Sequence, residues 1–288
     1  MTAFDGLELR TADLPQGTLE YRASGAGPSV VLLHGLLVDG RLWRDVVPLL
    51  ARDFRVVVPE LPLGCHRLPM RDDADLAPPA VAKLVADFLA ALGLDDVTLV
   101  GNDTGGAIAQ LVAAHYPERL GRLVLTPCDA YDNFLPPMFK PLQVLARVPP
   151  VMSASLRGMR VRALRLAPLA FGWLMKRPDD ALVKAWVDAT LASRDARRDA
   201  MKVLRGISKR QTLEAAERLR SFDRPVLIAW APEDRFFKLR YAERLAADIP
   251  GARLERIDDA FTFVSLDQPQ RTAELIAAFA REPRAAAA

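Results

Sequence analysis

The chain holds only three histidines and two cysteines in 288 residues. Two cysteines cannot build a disulfide framework, so a reducing compartment, the cytoplasm, is expected. Three scattered histidines leave little from which to assemble a zinc cluster, and nothing calls for a metal or an organic cofactor. No uncharged apolar run reaches about 18 residues, so no membrane span is expected. The first ten residues, MTAFDGLELR, lack both a basic n-region and an apolar h-region, which argues against a secretory signal. Hydrophobic residues make up 51% and charged residues 26%, which excludes disordered and collagen-like classes. No internal repeat is visible, and Ala285–Ala288 reads as a frayed tail.

Charge is nearly balanced, 39 basic against 36 acidic residues, but it is unevenly placed. Residues 133–222 carry 18 Lys and Arg against 7 Asp and Glu, an excess of 11; the remainder carries 21 against 29. Arginine outnumbers lysine 32 to 7, and no nucleic-acid motif or aromatic interleaving accompanies the excess. The basic stretch is therefore read as helices with arginine on their solvent face. The expected partner is a small-molecule substrate, with neither nucleic acid nor membrane; the sequence sets no oligomeric state.

Along the chain, apolar runs alternate with helical periodicity. Leu7–Leu14 and Thr18–Ala23 flank a Pro-Gln-Gly turn and read as a hairpin. SVVLL at 29–33, FRVVVP at 54–59, DVTLV at 96–100 and Leu120–Leu125 are continuous apolar strands. Between them, Arg41–Ala51, Ala80–Leu92 and Thr104–His115 have helical spacing. Continuous rather than alternating apolar strands indicate an α/β fold with a mostly parallel central sheet. Residues 133–222 contain no convincing strand and several proline breaks. Alternation resumes with PVLIAW at 225–230, a helix at 241–247, a strand at 253–257 and a last helix at 269–280. Residues 1–132 and 223–288 thus form the core, and 133–222 a helical cap over the carboxyl ends of the strands, where ligands of such sheets bind.

Between the third apolar strand and its helix stands Gly101-Asn102-Asp103-Thr104-Gly105-Gly106. This is the strand–turn–helix setting of a nucleophile elbow, G-x-Nu-x-G. A nucleophile on so sharp a turn crowds the positions two before and two after it, and both are glycine. The bland alternative is N-cap chemistry from Asn-Asp-Thr. Two further features favour the elbow. Leu33-His34-Gly35-Leu36 follows the first core strand, where backbone N–H groups of Leu36 and Thr104 form an oxyanion hole. Trp230-Ala231-Pro232-Glu233-Asp234-Arg235 follows a late strand, where Asp234 orients a base or caps a turn.

Together these residues resemble the α/β-hydrolase superfamily over essentially the whole chain, from His34-Gly35 to Asp267-Gln268-Pro269. With Asp103 at the elbow, the resemblance is to the haloalkane dehalogenase and epoxide hydrolase branch. It implies that the Asp103 carboxylate attacks carbon and that a His-activated water hydrolyses the resulting ester. The family places that His in the loop after the last strand. Here the loop reads Ile257-Asp258-Asp259-Ala260-Phe261-Thr262-Phe263, with Thr262 at the His position, and neither Thr262 nor Phe261 is a general base near neutral pH. His34 belongs to the oxyanion loop and His115 to the far end of the elbow helix. His66, in the loop after the second core strand, is the stand-in. Asp129 and Asp132, after the fourth strand, compete with Asp234 as orienting acid. Thr104 replaces the halide-binding Trp, and Leu37 replaces the Pro of His-Gly-x-Pro. Cys65 and Cys128 read as small packing residues.

Three functions follow. The first is a hydrolase acting on a small apolar molecule through Asp103 with an unusual base. The second is a lyase or isomerase using Asp103 as acid and base under a dry cap. The third is a ligand-binding pseudoenzyme. Phe139, Met152, Met159, Phe171, Trp173 and Met175 supply the cap with apolar surface.

Overall fold

The computed structural model describes residues 4–282; the expected tail at 285–288 and the first three residues lie outside them. The hairpin forms as β1 (Leu9–Leu14) and β2 (Gly17–Ser24). The apolar runs become β3 (Ser29–Leu33), β4 (Arg55–Pro59), β5 (Val97–Asp103), β6 (Leu120–Cys128), β7 (Val226–Trp230) and β8 (Arg253–Arg256). They make one eight-stranded sheet in the order β1-β2-β4-β3-β5-β6-β7-β8. Only the β1–β2 and β2–β4 pairs are antiparallel, so β2 alone runs against the direction of the other strands. Residues 30–33 and 97–101 are buried on both faces, which is why neither strand alternates in polarity.

Arg41–Ala51 does not form a single helix. A short turn of helix at Gly40–Trp43 is followed by α1 (Val47–Leu50), because Pro48 has no N–H to continue the earlier turn. The helices α2 (Pro78–Ala91) and α3 (Thr104–His115) follow as expected. Between β6 and β7 come α4 (Lys140–Leu145), α5 (Pro149–Gly158), α6 (Arg162–Arg165), α7 (Asp180–Ala192), α8 (Arg194–Gly206) and α9 (Lys209–Leu219). The chain then closes with α10 (Leu239–Asp248), α11 (Val264–Asp267) and α12 (Pro269–Arg281).

Two apolar layers sandwich the sheet. One packs α2, α3 and α10 on one face, and the other packs α1 and α12 on the opposite face with Trp43 and Trp186. Residues 133–222 divide between two roles. α4 to α8 form the helical layer above the strand ends, but α9 buries Ala215, Ala216 and Leu219 in the core layer that holds α3. The Thr212 hydroxyl fixes it there by donating to the Tyr131 carbonyl at 2.6 Å. β3 leads to β4 on one side and β5 leads to β6 on the other. The sheet's switch point, where ligands bind, therefore lies between the carboxyl ends of β3 and β5.

Candidate active site

Those two strand ends carry the His34–Leu36 loop and the turn at Asp103. Asp103 adopts φ 53 and ψ −132, a conformation that non-glycine residues rarely enter, and such strain clusters where function demands it. The turn is held by its glycines. A Cβ on Gly101 would lie 2.6 Å from the Gly105 carbonyl oxygen, and one on Gly105 would run into the carbonyls of Leu33 and His34. Asn102 ties the elbow down: its amide donates to Thr126 Oγ1 at 2.9 Å, Pro127 O at 3.1 Å and Thr262 O at 2.8 Å.

The Leu36 N–H donates to Asp103 Oδ2 at 3.2 Å, and the Thr104 N–H also supports the carboxylate. The loop that presents Leu36 is organised by His34. Its Nε2 accepts from Leu61 N and its Nδ1 donates to Gly35 O, both at 2.9 Å. Burial drives the His34 pKa down to about 4, so it stays neutral and structural.

Two more carboxylates converge on Asp103. Asp129 is fully buried and accepts from the Thr104 hydroxyl at 3.4 Å, while its Oδ1 has no partner. Asp234 Oδ1 accepts from the N–H groups of Phe236 and Phe237, each at 2.7 Å. Its Oδ2 lies unpartnered near the buried Thr262 hydroxyl, which favours the charged form without closing a well-formed hydrogen bond. Burial is the main reason that Asp103 is pushed up to about 7 and Asp234 to about 6; the charge of Asp234 raises Asp103 further. Burial and the charge of Asp103 drive Asp129 well above the carboxylate range. Three like charges in one dry site oppose each other's ionisation, so the carboxyls titrate as a coupled set.

Asp103 and Thr104 line a cavity of about 110 Å³ whose wall is otherwise mostly apolar. Phe139, Met152, Met159 and Phe171 from the cap line it as the sequence suggests. Trp173 instead stands 39% exposed, and Met175 packs into the core.

His66 is not in this cavity. It lines a second, polar cavity with Glu20, Asp39, Glu60, Arg22 and Arg41. Gly64 N donates to its Nδ1 at 3.4 Å, leaving Nε2–H to face Asp199 at 3.2 Å. The structure pairs this histidine with a carboxylate of α8 and does not bring it to Asp103. Glu60, nearby, is pushed up to about 7 by burial and by Asp39. His115 and the exposed Asp132 are also outside the Asp103 cavity. Cys128 is buried beneath Gly106, and Cys65 hydrogen-bonds Thr190 at 3.2 Å; both have pKa values driven up by burial, as suits packing residues. Among the described residues, no group of three His, Cys, Asp or Glu side chains is arranged to hold a metal ion.

Asp267 is a residue the sequence placed only as part of a family match. Its carboxylate accepts from Lys176 N at 2.8 Å, Arg177 N at 3.1 Å and Phe261 N at 3.0 Å. It thereby latches the root of the cap to the loop that carries Thr262. A buried Asp two residues before a helix-initiating proline is the signal, but its partners Lys176 and Arg177 lie 91 and 90 residues away.

The comparisons with known proteins agree with this architecture. The family model of the alpha/beta hydrolase fold matches residues 28–269, and the chain belongs to that family. Haloalkane dehalogenase 2 of Mycobacterium tuberculosis is 29% identical over 93% of this chain and 93% of its own length. A 2-hydroxy-6-oxononadienedioate/2-hydroxy-6-oxononatrienedioate hydrolase of Dechloromonas aromatica is 28% identical over 82% of this chain and 81% of its length. Among solved structures, the carboxylesterase CesB of Bacillus subtilis superposes with TM-score 0.77 at 22% identity, covering 95% of this chain and 91% of that one. The protein is an enzyme of the hydrolase class.

Proposed function

We propose that the protein hydrolyses a small apolar substrate at an electrophilic carbon, with Asp103 as nucleophile and Asp234 in place of the missing imidazole. The observation that carries this reading is the Leu36 N–H on Asp103 Oδ2 at 3.2 Å. The Leu36 N–H holds Oδ2, which leaves Oδ1 to attack. The C–Oδ1 bond forms as the leaving group departs with its electron pair, giving an ester of Asp103. Water then attacks the ester carbonyl carbon, and the charge on the carbonyl oxygen is taken up by the N–H groups of Leu36 and Thr104. The Asp103 carboxylate is released and the product leaves as an alcohol. Asp234, with an unpartnered Oδ2 beside Thr262, accepts the proton of that water.

Intact-mass measurement after incubation with haloalkanes, epoxides and activated esters tests the reading. The expected result is an adduct on Asp103, absent from Asp103→Asn, with slow release of product. In Thr262→His, which returns an imidazole beside Asp234, the adduct clears about 10²-fold faster. Turnover that persists in Asp103→Asn, or an adduct on another residue, overturns it. A second reading, proton transfer in a lyase or isomerase, draws on the Asp103 pKa near 7, the value that suits an acid–base carboxyl. Product formed without an atom from solvent water would favour that reading.

A further inference from the structure

The cap carries a face that the chemistry at Asp103 does not use. From residue 133 to residue 178 the sequence contains eight Lys or Arg and no Asp or Glu. The same stretch displays branched aliphatic side chains to solvent. Val144 is 64% exposed, Val161 56% and Leu169 58%, and Val148, Val151 and Leu164 are each about half exposed. Burying such side chains elsewhere in this fold is routine, so their clustering on one segment marks a surface with a partner.

Along the N-terminal half of α5 the apolar ridge borders a basic groove. Pro149, Pro150 and Ser153 form one wall, flanked by Val148 and Val151. Arg157, Arg194, Arg197, Arg198 and Arg205 line the groove, and of these Arg198 is already paired with Asp72 and Asp199. The acid on its wall, Asp195, lies 3.8 Å from Arg198. Arg157 and Arg194 are close enough to Arg197 that their charges disfavour its protonated form. Exposed valines thus border a groove of long arginine side chains, the two components that a phospholipid interface takes together, acyl boundary and headgroup phosphate.

We propose that this face docks on a bilayer containing anionic phospholipid, with headgroup phosphates in the arginine groove and Val148 and Val151 at the acyl boundary. This departs from the sequence expectation, which read the basic stretch as solvated helix faces and set no membrane partner; among the described residues no helix is long and apolar enough to cross a membrane, so the contact is with its surface. Surface docking has other requirements, and charge decides between occupants. A second copy in two-fold contact would set basic groove against basic groove. A nucleic acid would use the arginines but not the valines, and the groove offers no aromatic ring for base stacking. An anionic bilayer satisfies both components at once. Leu169 is exposed on the same stretch of sequence and also lines the Asp103 cavity. The proposal stands apart from the nature of the reaction below it.

The test is co-sedimentation of the full chain with vesicles of phosphatidylcholine alone or mixed with phosphatidylglycerol, at low and high salt. The expected result is binding to the mixed vesicles only, weakened by salt. Arg157→Glu/Arg194→Glu and, separately, Val148→Asp/Val151→Asp each weaken binding by about tenfold or more. Both variants are expected to keep the parent fold in circular-dichroism melting, since none of the four side chains is buried. Failure of the parent chain to bind mixed vesicles overturns the proposal. So does binding unchanged by the valine substitutions, which would mean adsorption by charge alone. A lipid-free dimer dissolved by the same substitutions would assign the face to a second copy instead.

Discussion

Asp103 combines a strained backbone, two backbone donors and a dry environment, and these have opposite consequences for stability and reactivity. Its pKa is about 7 in the folded protein and near 4 in an unfolded chain. The folded state therefore binds the proton more tightly. The associated stability is complete below the unfolded value and is lost as pH rises through about 7. Asp234, raised to about 6, and Glu60, raised to about 7, act with the same sign. Asp103→Asn removes one ionising group from that set. It is expected to be more stable than the parent by about 1–3 kcal/mol at pH 8 and nearly equal to it at pH 5, as read from urea unfolding. Adduct formation runs the other way, since only the carboxylate attacks, and its rate rises with pH through about 7. A parent and variant whose stabilities track each other from pH 5 to 8 would show that Asp103 does not carry the raised pKa. The G-x-Nu-x-G spacing singles out Asp103 and Thr104, and the His34-Gly35 pair singles out Leu36, because each motif's demands act within a few residues. The placement of His66 was not legible. Its partner Asp199 lies 133 residues away on a helix whose approach no local pattern records.

At the scale of elements, the strands of the core were readable because parallel, doubly buried strands leave unbroken apolar runs. The division within residues 133–222 was not. α9 is as amphipathic as a cap helix, and only the packing of Ala215 and Leu219 beside α3 assigns it to the core. Nor did the sequence reveal how the cap is fastened. Asp267 on α11 accepts backbone N–H groups from Lys176 and Arg177 on one side and Phe261 on the other. Phe263 N adds a bond to Leu174 O at 2.7 Å. Asp267→Ala leaves those donors without their acceptor and is expected to cost about 2–4 kcal/mol, measured by chemical denaturation. Because the latch joins the cap root to the Thr262 loop, hydrogen exchange is expected to speed up at Leu174–Arg177 and 261–263 together. Faster exchange at only one of these segments would show that Asp267 does not couple them.

The whole molecule divides by charge as well as by architecture. The sequence outside residues 133–222 has 21 basic and 29 acidic residues, while the 133–222 stretch is strongly basic. The Asp103 cavity is lined by residues of both parts, Leu36, Asp103 and Thr104 at the strand ends and Met152, Leu156 and Met159 from the 133–222 stretch. Alternation and the elbow motif made the fold and this partition legible. The convergence of Asp103, Asp129 and Asp234 needed the folded sheet, since it joins residues from three strand ends. On that convergence rests the central claim, that Asp103 is covalently involved and its ester is opened by water. The direct measurement is turnover in ¹⁸O-labelled water under single-turnover conditions, followed by mass analysis of the peptide containing Asp103. Attack by water on the ester carbonyl carbon leaves one solvent oxygen in the Asp103 carboxylate, with unlabelled oxygen in the first product. Label in the product and none in Asp103 would contradict the account.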